Sequence, residues 1–282
     1  MSIQIIQTKL DSYNCKSKNE EEHAVREITQ EVILAALGRT DFFKYSAFQG
    51  GTCLRIFYGL ERFSEDIDFL LKEPNSKFQL EPYLRIISNE LAAYGYNIEI
   101  GKRSDENKTV KKTFLKDDSL IRILNLSHLA NNNRVKKIKI KLEIDTNPPS
   151  KGKTEIKYLD FPYASSAVIQ DKPTLFAGKV HTLLCREYLK GRDWYDFIWY
   201  TSQDIGINYN FLSSALNQQG PWKNHALKID REWCQIELTK KIISIDWEYA
   251  AKDVHRFVRF NQQPSLDFWC KDLFLAQLLK LS

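Results

Sequence analysis

The sequence predicts an α+β protein: a mixed sheet with flanking helices up to about residue 170, then an all-helical C-terminal part. Three observations carry this. Segments alternating apolar and polar residues, the period of half-buried strands, fall between residues 66 and 170. Beyond Pro173 the period becomes helical and stays so. All six tryptophans (Trp194, Trp199, Trp222, Trp233, Trp247 and Trp269) lie in that later half.

Taken in order, residues 1–17 show no clear period and are expected to be loosely ordered. From Asn19 to Leu37, Ala24, Ile28, Val32, Ala35 and Ala36 recur on one helical face. Glu20, Glu21 and Glu22 favour the positive end of that helix's dipole, and Gly38 suits its C′ position. Asp41 to Phe48 is an aromatic link. Leu80 to Tyr94 aligns Leu84, Ile87, Leu91 and Tyr94 as a helix ended by Gly95. Tyr96–Ile100, Ser119–Leu126 and Val135–Asp145 alternate as strands, with a charged loop or hairpin over Arg103–Lys116. Pro148-Pro149 stops the last of these, and Ile156–Phe161 and Ala167–Gln170 are short strands. Helices then follow over 174–189, 192–202, 209–217, 230–243, 247–259 and 266–280.

Composition is that of a globular protein, with 43% hydrophobic and 27% charged residues. No run reaches the length of a membrane span, and Met1 to Tyr13 lacks the pattern of a signal peptide. The five cysteines form no CxxC pair, which argues for reduced thiols in a cytoplasm and against a disulfide framework or zinc site. A net charge of +5 is compatible with a polyanionic partner without requiring one.

The chemistry concentrates in Phe48 to Phe69, FQGGTCLRIFYGLERFSEDIDF. Gly50-Gly51 permits a tight turn and a close approach to a ligand, and Thr52 to Tyr58 has a helical rhythm. A glycine turn opening a helix offers N–H groups to phosphate. Asp66-Ile67-Asp68-Phe69 read as a strand puts both carboxylates on one face and Ile67 and Phe69 in the core. Two adjacent carboxylates call for a cation between them, and an all-oxygen set suits Mg²⁺. A phosphate-cradling turn before a same-face Asp pair is the metal-and-phosphate half of a nucleotidyltransferase site. Asp-x-Asp alone is a weak signal, equally satisfied by a solvated edge strand; the whole run is specific.

This stretch resembles the first motif of the AbiEii family of nucleotidyltransferase toxins, in the DNA polymerase β-like superfamily, and fits the family pattern GG(S/T)-x-LR-x-x-YGL-x-R-x-S-x-D-x-D-F throughout. The resemblance extends over about residues 20 to 200. It implies an N-terminal helical segment (1–40), a polymerase β-like nucleotidyltransferase domain (41–170) and a helical domain (171–282). A third carboxylate is then expected on a neighbouring strand. Lys141-Leu142-Glu143-Ile144 matches the family's basic-apolar-acid-apolar context, so Glu143 is the first choice, with Asp145 on the same face close behind; a plain solvent-facing strand would show the same alternation. Lys179, off the apolar face of Phe176, Val180, Leu183 and Leu184, matches the family's AxK helix and would reach nucleotide phosphates, although position alone makes it an ordinary solvated lysine. Lys190-Gly-Arg-Asp-Trp-Tyr-Asp196 resembles the GRD-x-x-D motif, which makes Asp193 a site residue that orients the lysine or nucleotide, and Asp196 a lesser one; Asp193 is also well placed simply to cap a helix.

In this reading Asp66, Asp68 and Glu143 or Asp145 bind two Mg²⁺. Gly50, Gly51 and Thr52 hold the phosphates of an NTP. Arg55 and Arg62 are phosphate contacts or, equally, structural ion pairs. The resemblance further implies the toxin of a type IV toxin–antitoxin or abortive-infection system, with an antitoxin encoded nearby. Basic residues at Lys108–Lys116 and Arg134–Lys141 favour RNA as the acceptor, and the resemblance implies tRNA first. The rivals are a small-molecule or protein acceptor and, in another class, a non-catalytic nucleotide- or RNA-binding module, against which the intact Asp pair speaks.

Overall fold

The computed structural model describes residues 2–102, 109–117, 124, 126, 138–225 and 227–281. The chain divides into two compact units, one of Met1–Gly59, Phe63–Pro148 and Glu155–Ile169, the other of Leu60–Arg62, Pro149–Thr154 and Gln170–Ser282.

The first unit is built on a seven-stranded mixed sheet. Its elements in chain order are α1 (Ser2–Ser12), α2 (Lys18–Gly38), α3 (Phe42–Tyr45), β1 (Ser46–Gln49), α4 (Gly50–Tyr58), β2 (Asp66–Leu71), α5 (Glu81–Ala93), β3 (Glu99–Lys102), β4 (Val110–Asp117), β5 (Ile138–Asp145), β6 (Thr154–Leu159) and β7 (Ser165–Gln170). The strand order is β3-β4-β5-β2-β1-β7-β6. β2 therefore lies near the middle, antiparallel to β1 and parallel to β5. Its alternation sorts the residues as expected: Ile67 and Phe69 are buried while Asp66 and Asp68 are half-buried on the other face. Phe69 meets Phe42 edge-on at 4.8 Å and Phe48 at 5.4 Å, in a core under the acidic strand.

Several expectations need correction. Residues 2–12 form a helix, because Ile6 and Leu10, one turn apart, are both buried. Lys9 then pairs with Glu31 at 3.0 Å, and the Tyr13 hydroxyl donates to Glu27 at 2.9 Å. The charged stretch expected as a loop or hairpin takes the hairpin alternative: β4 pairs antiparallel with β3, and with β5 on its other side. Lys112 and Lys116 lie on one face of β4, and the other buries Thr113 and Leu115. Asp41 to Phe48 contains a helical turn and β1. Gly38 ends α2 from within and Arg39 is the cap; a Cβ at Gly38 would meet the Ser166 carbonyl oxygen at 2.8 Å, so the glycine serves packing. The strand expected over Ser119–Leu126, together with Lys108 and Arg134, lies outside the described residues, apart from Leu124 and Leu126.

The second unit is helical: α6 (Lys172–Cys185), α7 (Gly191–Ser202), α8 (Tyr209–Gln218), α9 (Arg231–Ile243), α10 (Trp247–His255), a 3-10 stretch (Phe260–Phe268) and α11 (Lys271–Leu278). Asp171 caps α6 by accepting from the Thr174 N–H at 3.0 Å, with Pro173 in the first turn. Its core stacks Phe176 on Tyr200 (4.4 Å) and Trp247 on Phe274 (3.7 Å), with Trp194 edge-on to both members of the latter pair. Among the described residues no helix is long and apolar enough to cross a membrane.

Candidate active site

The Gly50-Gly51 turn opens α4 beside β2. Gln49 precedes the helix without a side-chain cap bond, so no side-chain oxygen at that position takes the first N–H groups. Gly50 has φ +79°, and a Cβ there would stand 2.8 Å from Asp68 Oδ2. Glycine is thus required twice at this position, by conformation and by the carboxylate pressed against it.

The pairing of β2 with β5 brings the acids together. Asp66 lies opposite Lys141, Asp68 opposite Glu143, and Leu70 opposite Asp145. In a parallel pair such partners share a face. Asp66, Asp68 and Glu143 therefore occupy one half-exposed surface, while Asp145 lies one step on beside an apolar neighbour and accepts from the Asn147 N–H at 2.9 Å. Burial pushes the Asp145 carboxyl up, with that bond a partial offset. Glu143 is heavily engaged: Lys112 Nζ lies 2.7 Å from Oε1 and Lys141 Nζ donates to Oε2 at 2.5 Å. Burial alone would raise its carboxyl, but the bonds from both lysines hold it below the usual carboxylate range. Burial would likewise lower the Lys141 ammonium; the bond to Glu143 and the charges of Glu143, Asp66 and Asp68 raise it instead.

The donor set on this face fits a hard divalent cation, since it consists of carboxylates, two of them half-exposed beside a turn whose Gly50 leaves room against Asp68. Asp66 and Asp68 are the residues that would hold it. As the side chains stand, no three His, Cys, Asp or Glu groups among the described residues converge for a metal, in keeping with the engagement of Glu143 by lysines.

The same sheet face continues as a basic surface. Lys112, Phe114 and Lys116 of β4 pair with Glu143, Lys141 and Lys139 of β5. Lys139 Nζ sits 4.2 Å over the Phe114 ring.

Two residues of the glycine motif turn inward. Thr52, expected at a phosphate, is fully buried and its hydroxyl donates to the Asp66 carbonyl, tying the start of α4 to β2. Arg55 takes the ion-pair alternative: Nε donates to Glu27 at 2.8 Å and the guanidinium lies 4.6 Å over the Phe63 ring. The contribution of α2 is visible only in the folded chain. Gln30, buried, donates from Nε2 to the Ser64 and Glu65 carbonyls at 3.2 and 3.0 Å, and Arg26 pairs with Glu65 at 3.3 Å. These bonds hold the loop that enters Asp66. The available signal was the number of polar residues within an otherwise apolar helix, and it does not identify which carbonyls they serve.

A second cluster lies within the helical unit. Arg62 is buried and grips Asp196 bidentately, Nε to Oδ1 at 2.7 Å and Nη2 to Oδ2 at 2.6 Å. Lys179 Nζ donates to Asp193 Oδ1 at 2.7 Å and lies 2.8 Å from Asp196 Oδ2. Asp193 also accepts from Arg186. Arg62 is thus an ion-pair residue here, and Lys179 is enclosed instead of solvated. Burial would raise the Asp193 carboxyl, but Lys179 and Arg186 hold it below its ordinary value. Burial would lower Lys179, and the two carboxylates raise it. Gly191 of the GRD motif has a packing reason: a Cβ there would stand 1.9 Å from the Ala250 carbonyl oxygen, and its N–H donates to Asp253 at 2.8 Å. Arg192 lies 4.1 Å over the Phe257 ring. His181 Nε2 lies 3.2 Å from the Gln219 carbonyl, away from any acid–base role in these clusters.

No curated protein matches the chain. Two solved Helicobacter pylori structures resemble it at 16% identity. One is JHP933, with a TM-score of 0.49 over 92% of this chain and 88% of that one. The other, described as a candidate nucleotidyltransferase, has a TM-score of 0.50 over 91% and 96%, and shares the fold. A family model described as nucleotidyl transferase AbiEii toxin, type IV toxin–antitoxin system, matches residues 32–268. The chain belongs to this family of nucleotidyltransferase toxins.

Proposed function

We propose that this AbiEii-family nucleotidyltransferase moves a nucleoside monophosphate from an NTP to a hydroxyl on RNA, tRNA first, in an Mg²⁺-dependent reaction on the face of β2 and β5. The observation that carries the reading is the alignment of Asp66 and Asp68 on one face of β2, in register with Glu143 of β5 and against the Gly50 turn. A family of type IV toxins implies an NTP substrate and a cognate antitoxin.

Each group has a stated task. The N–H groups opening α4 at Gly50 and Gly51 receive the phosphate oxygens. Asp66 and Asp68 would hold the divalent cation, which would supply positive charge to offset that of the triphosphate and the departing pyrophosphate. The acceptor oxygen bonds to the α-phosphorus as the bond to pyrophosphate breaks, and the acceptor's proton passes to an Asp68 carboxylate oxygen. Gln30 and Thr52 keep the backbone around Asp66 fixed through the Ser64, Glu65 and Asp66 carbonyls.

RNA is favoured over a small acceptor by Lys112, Lys116, Lys139 and Lys141 on the acidic strand's own side of the sheet, a row suited to a phosphodiester backbone. The test is incubation of the protein with each NTP labelled at the α-phosphate, Mg²⁺ and total tRNA, with Asp68→Ala alongside. Label on tRNA with wild type alone is the expected result. Label on a small molecule or on protein overturns the acceptor. Equal labelling by Asp68→Ala overturns the site, and pyrophosphate release from no substrate at all overturns the enzymatic reading of this chain in favour of a binding module.

A further inference from the structure

Glu143 stands where a third metal-binding carboxylate is expected, yet both its oxygens are already occupied. Lys112 Nζ is 2.7 Å from Oε1 and Lys141 Nζ is 2.5 Å from Oε2. Neither lysine is there by accident of a long side chain. Lys112 is the cross-strand partner of Glu143 on β4, and Lys141 precedes it by two residues on the same face of β5, directly opposite Asp66. Backbone pairing thus fixes both ammonium groups to the neighbourhood of the acids.

We propose that the acidic face holds a single divalent cation, on Asp66 and Asp68, and that Lys141, braced with Lys112 by Glu143, supplies the fixed positive charge that a second cation would otherwise bring. The proposal rests on the metal reading given above. Asp66, Asp68 and Glu143 with Lys112 and Lys141 carry one net negative charge by themselves, and Lys116 and Lys139 add positive charge farther along the same face, so one divalent cation already makes the region positive. A second would enter a region already positive and would have to displace two charge-assisted hydrogen bonds to reach Glu143. In the transfer step Lys141 neither gains nor loses a proton. The acceptor's proton goes to Asp68, the electron pair of the broken P–O bond leaves with pyrophosphate, and Lys141 offsets negative charge gathering on the transferring phosphoryl oxygens. Lys141 is the firmer of the two lysines, with 25% of its side chain exposed against 42% for Lys112.

The test counts Mn²⁺ ions bound by the full chain, by paramagnetic resonance and calorimetric titration of the metal alone, with unfolding midpoints recorded for each variant. Wild type is expected to bind one ion, Asp68→Ala none, and Glu143→Gln one with affinity within about threefold of wild type. The Lys112→Met, Lys141→Met double variant frees Glu143 and is expected to bind a second ion. Lys141→Met alone should lower the transfer rate by about ten- to a hundredfold, the scale of losses from groups supporting a metal site. Two ions on the wild-type chain, or loss of the single ion in Glu143→Gln, would overturn the proposal while leaving the Asp pair intact. An ion that persists in Asp68→Ala, or none in wild type, would instead remove the metal reading on which it stands.

Discussion

The two acidic clusters of this molecule are built from the same side chains and are opposite in kind. On the sheet, Asp66 and Asp68 are half-exposed on one strand, and Lys141, in register with Asp66, is turned onto Glu143. In the helical unit, Asp193 and Asp196 are buried and held by Arg62, Lys179 and Arg186, and Asp196 is wholly inaccessible. A buried carboxylate must be compensated by the fold itself, since its charge is costly without partners. A half-exposed pair can leave compensation to a ligand. The difference teaches that exposure separates the two clusters: one is charge-balanced inside the fold, the other stands at a surface that an incoming group can reach.

The sharpest way to break this comparison is Asp68→Ala. Transfer should fall by about a thousandfold, the scale of losing a central electrostatic group, while urea unfolding shifts by about 1 kcal/mol, the ordinary scale for a single substitution. A large loss of stability would mean that the two clusters are alike. Asp196→Ala should do the reverse first: it leaves the Arg62 guanidinium and the Lys179 ammonium short of a buried partner, and unfolding free energy should drop by about 3–5 kcal/mol.

Two glycines sharpen the contrast within the helical unit. Gly191→Ala drives a Cβ to 1.9 Å from the Ala250 carbonyl and should destabilise by about 1–3 kcal/mol. Gly178→Ala, one residue from Lys179, meets nothing within 4 Å and should stabilise α6 by about 0.5–1 kcal/mol. Equal effects in thermal melts would show that the GRD glycine has no packing role. The smallest effect expected is on pH. The Asp193 carboxyl sits below its ordinary value, so the stability it contributes is complete above about 3.9 and is lost as the pH falls through its lower folded value. Asp193→Asn should flatten the stability profile only below that point; a change near neutral pH would contradict the assignment.

The strands and helices around the motifs were largely legible because their periods are strong. β2 shows its alternation in six residues, and α5 keeps Leu84, Ile87 and Leu91 on one side. α1 was not legible, because its pattern rests on just two buried residues, Ile6 and Leu10. β4 was legible only as one of two alternatives, a charged loop or a hairpin, because Lys112 and Lys116 on its half-exposed face suit either until β3 and β5 pair with it. The position of Gln30 under the loop before Asp66 could not be read, because a hydrogen bond spanning 34 residues leaves no local trace.

The sequence alone determined the family pattern, the same-face placement of Asp66 and Asp68, and the presence of a lysine helix followed by a GRD motif. These are local properties: strand alternation, turn chemistry and residue spacing settle them within a few residues. Tertiary structure alone decided which acid faces Asp68. Glu143 and Asp145 share a strand face, and only the register of β2 against β5 separates them by one step. It also turned Thr52, Arg55 and Arg62 inward and put Lys112 and Lys141 on Glu143. The physical reason is that burial and pairing belong to surfaces brought together from distant parts of the chain. Whether a charged side chain is free for a ligand depends on the partner that folding sets beside it.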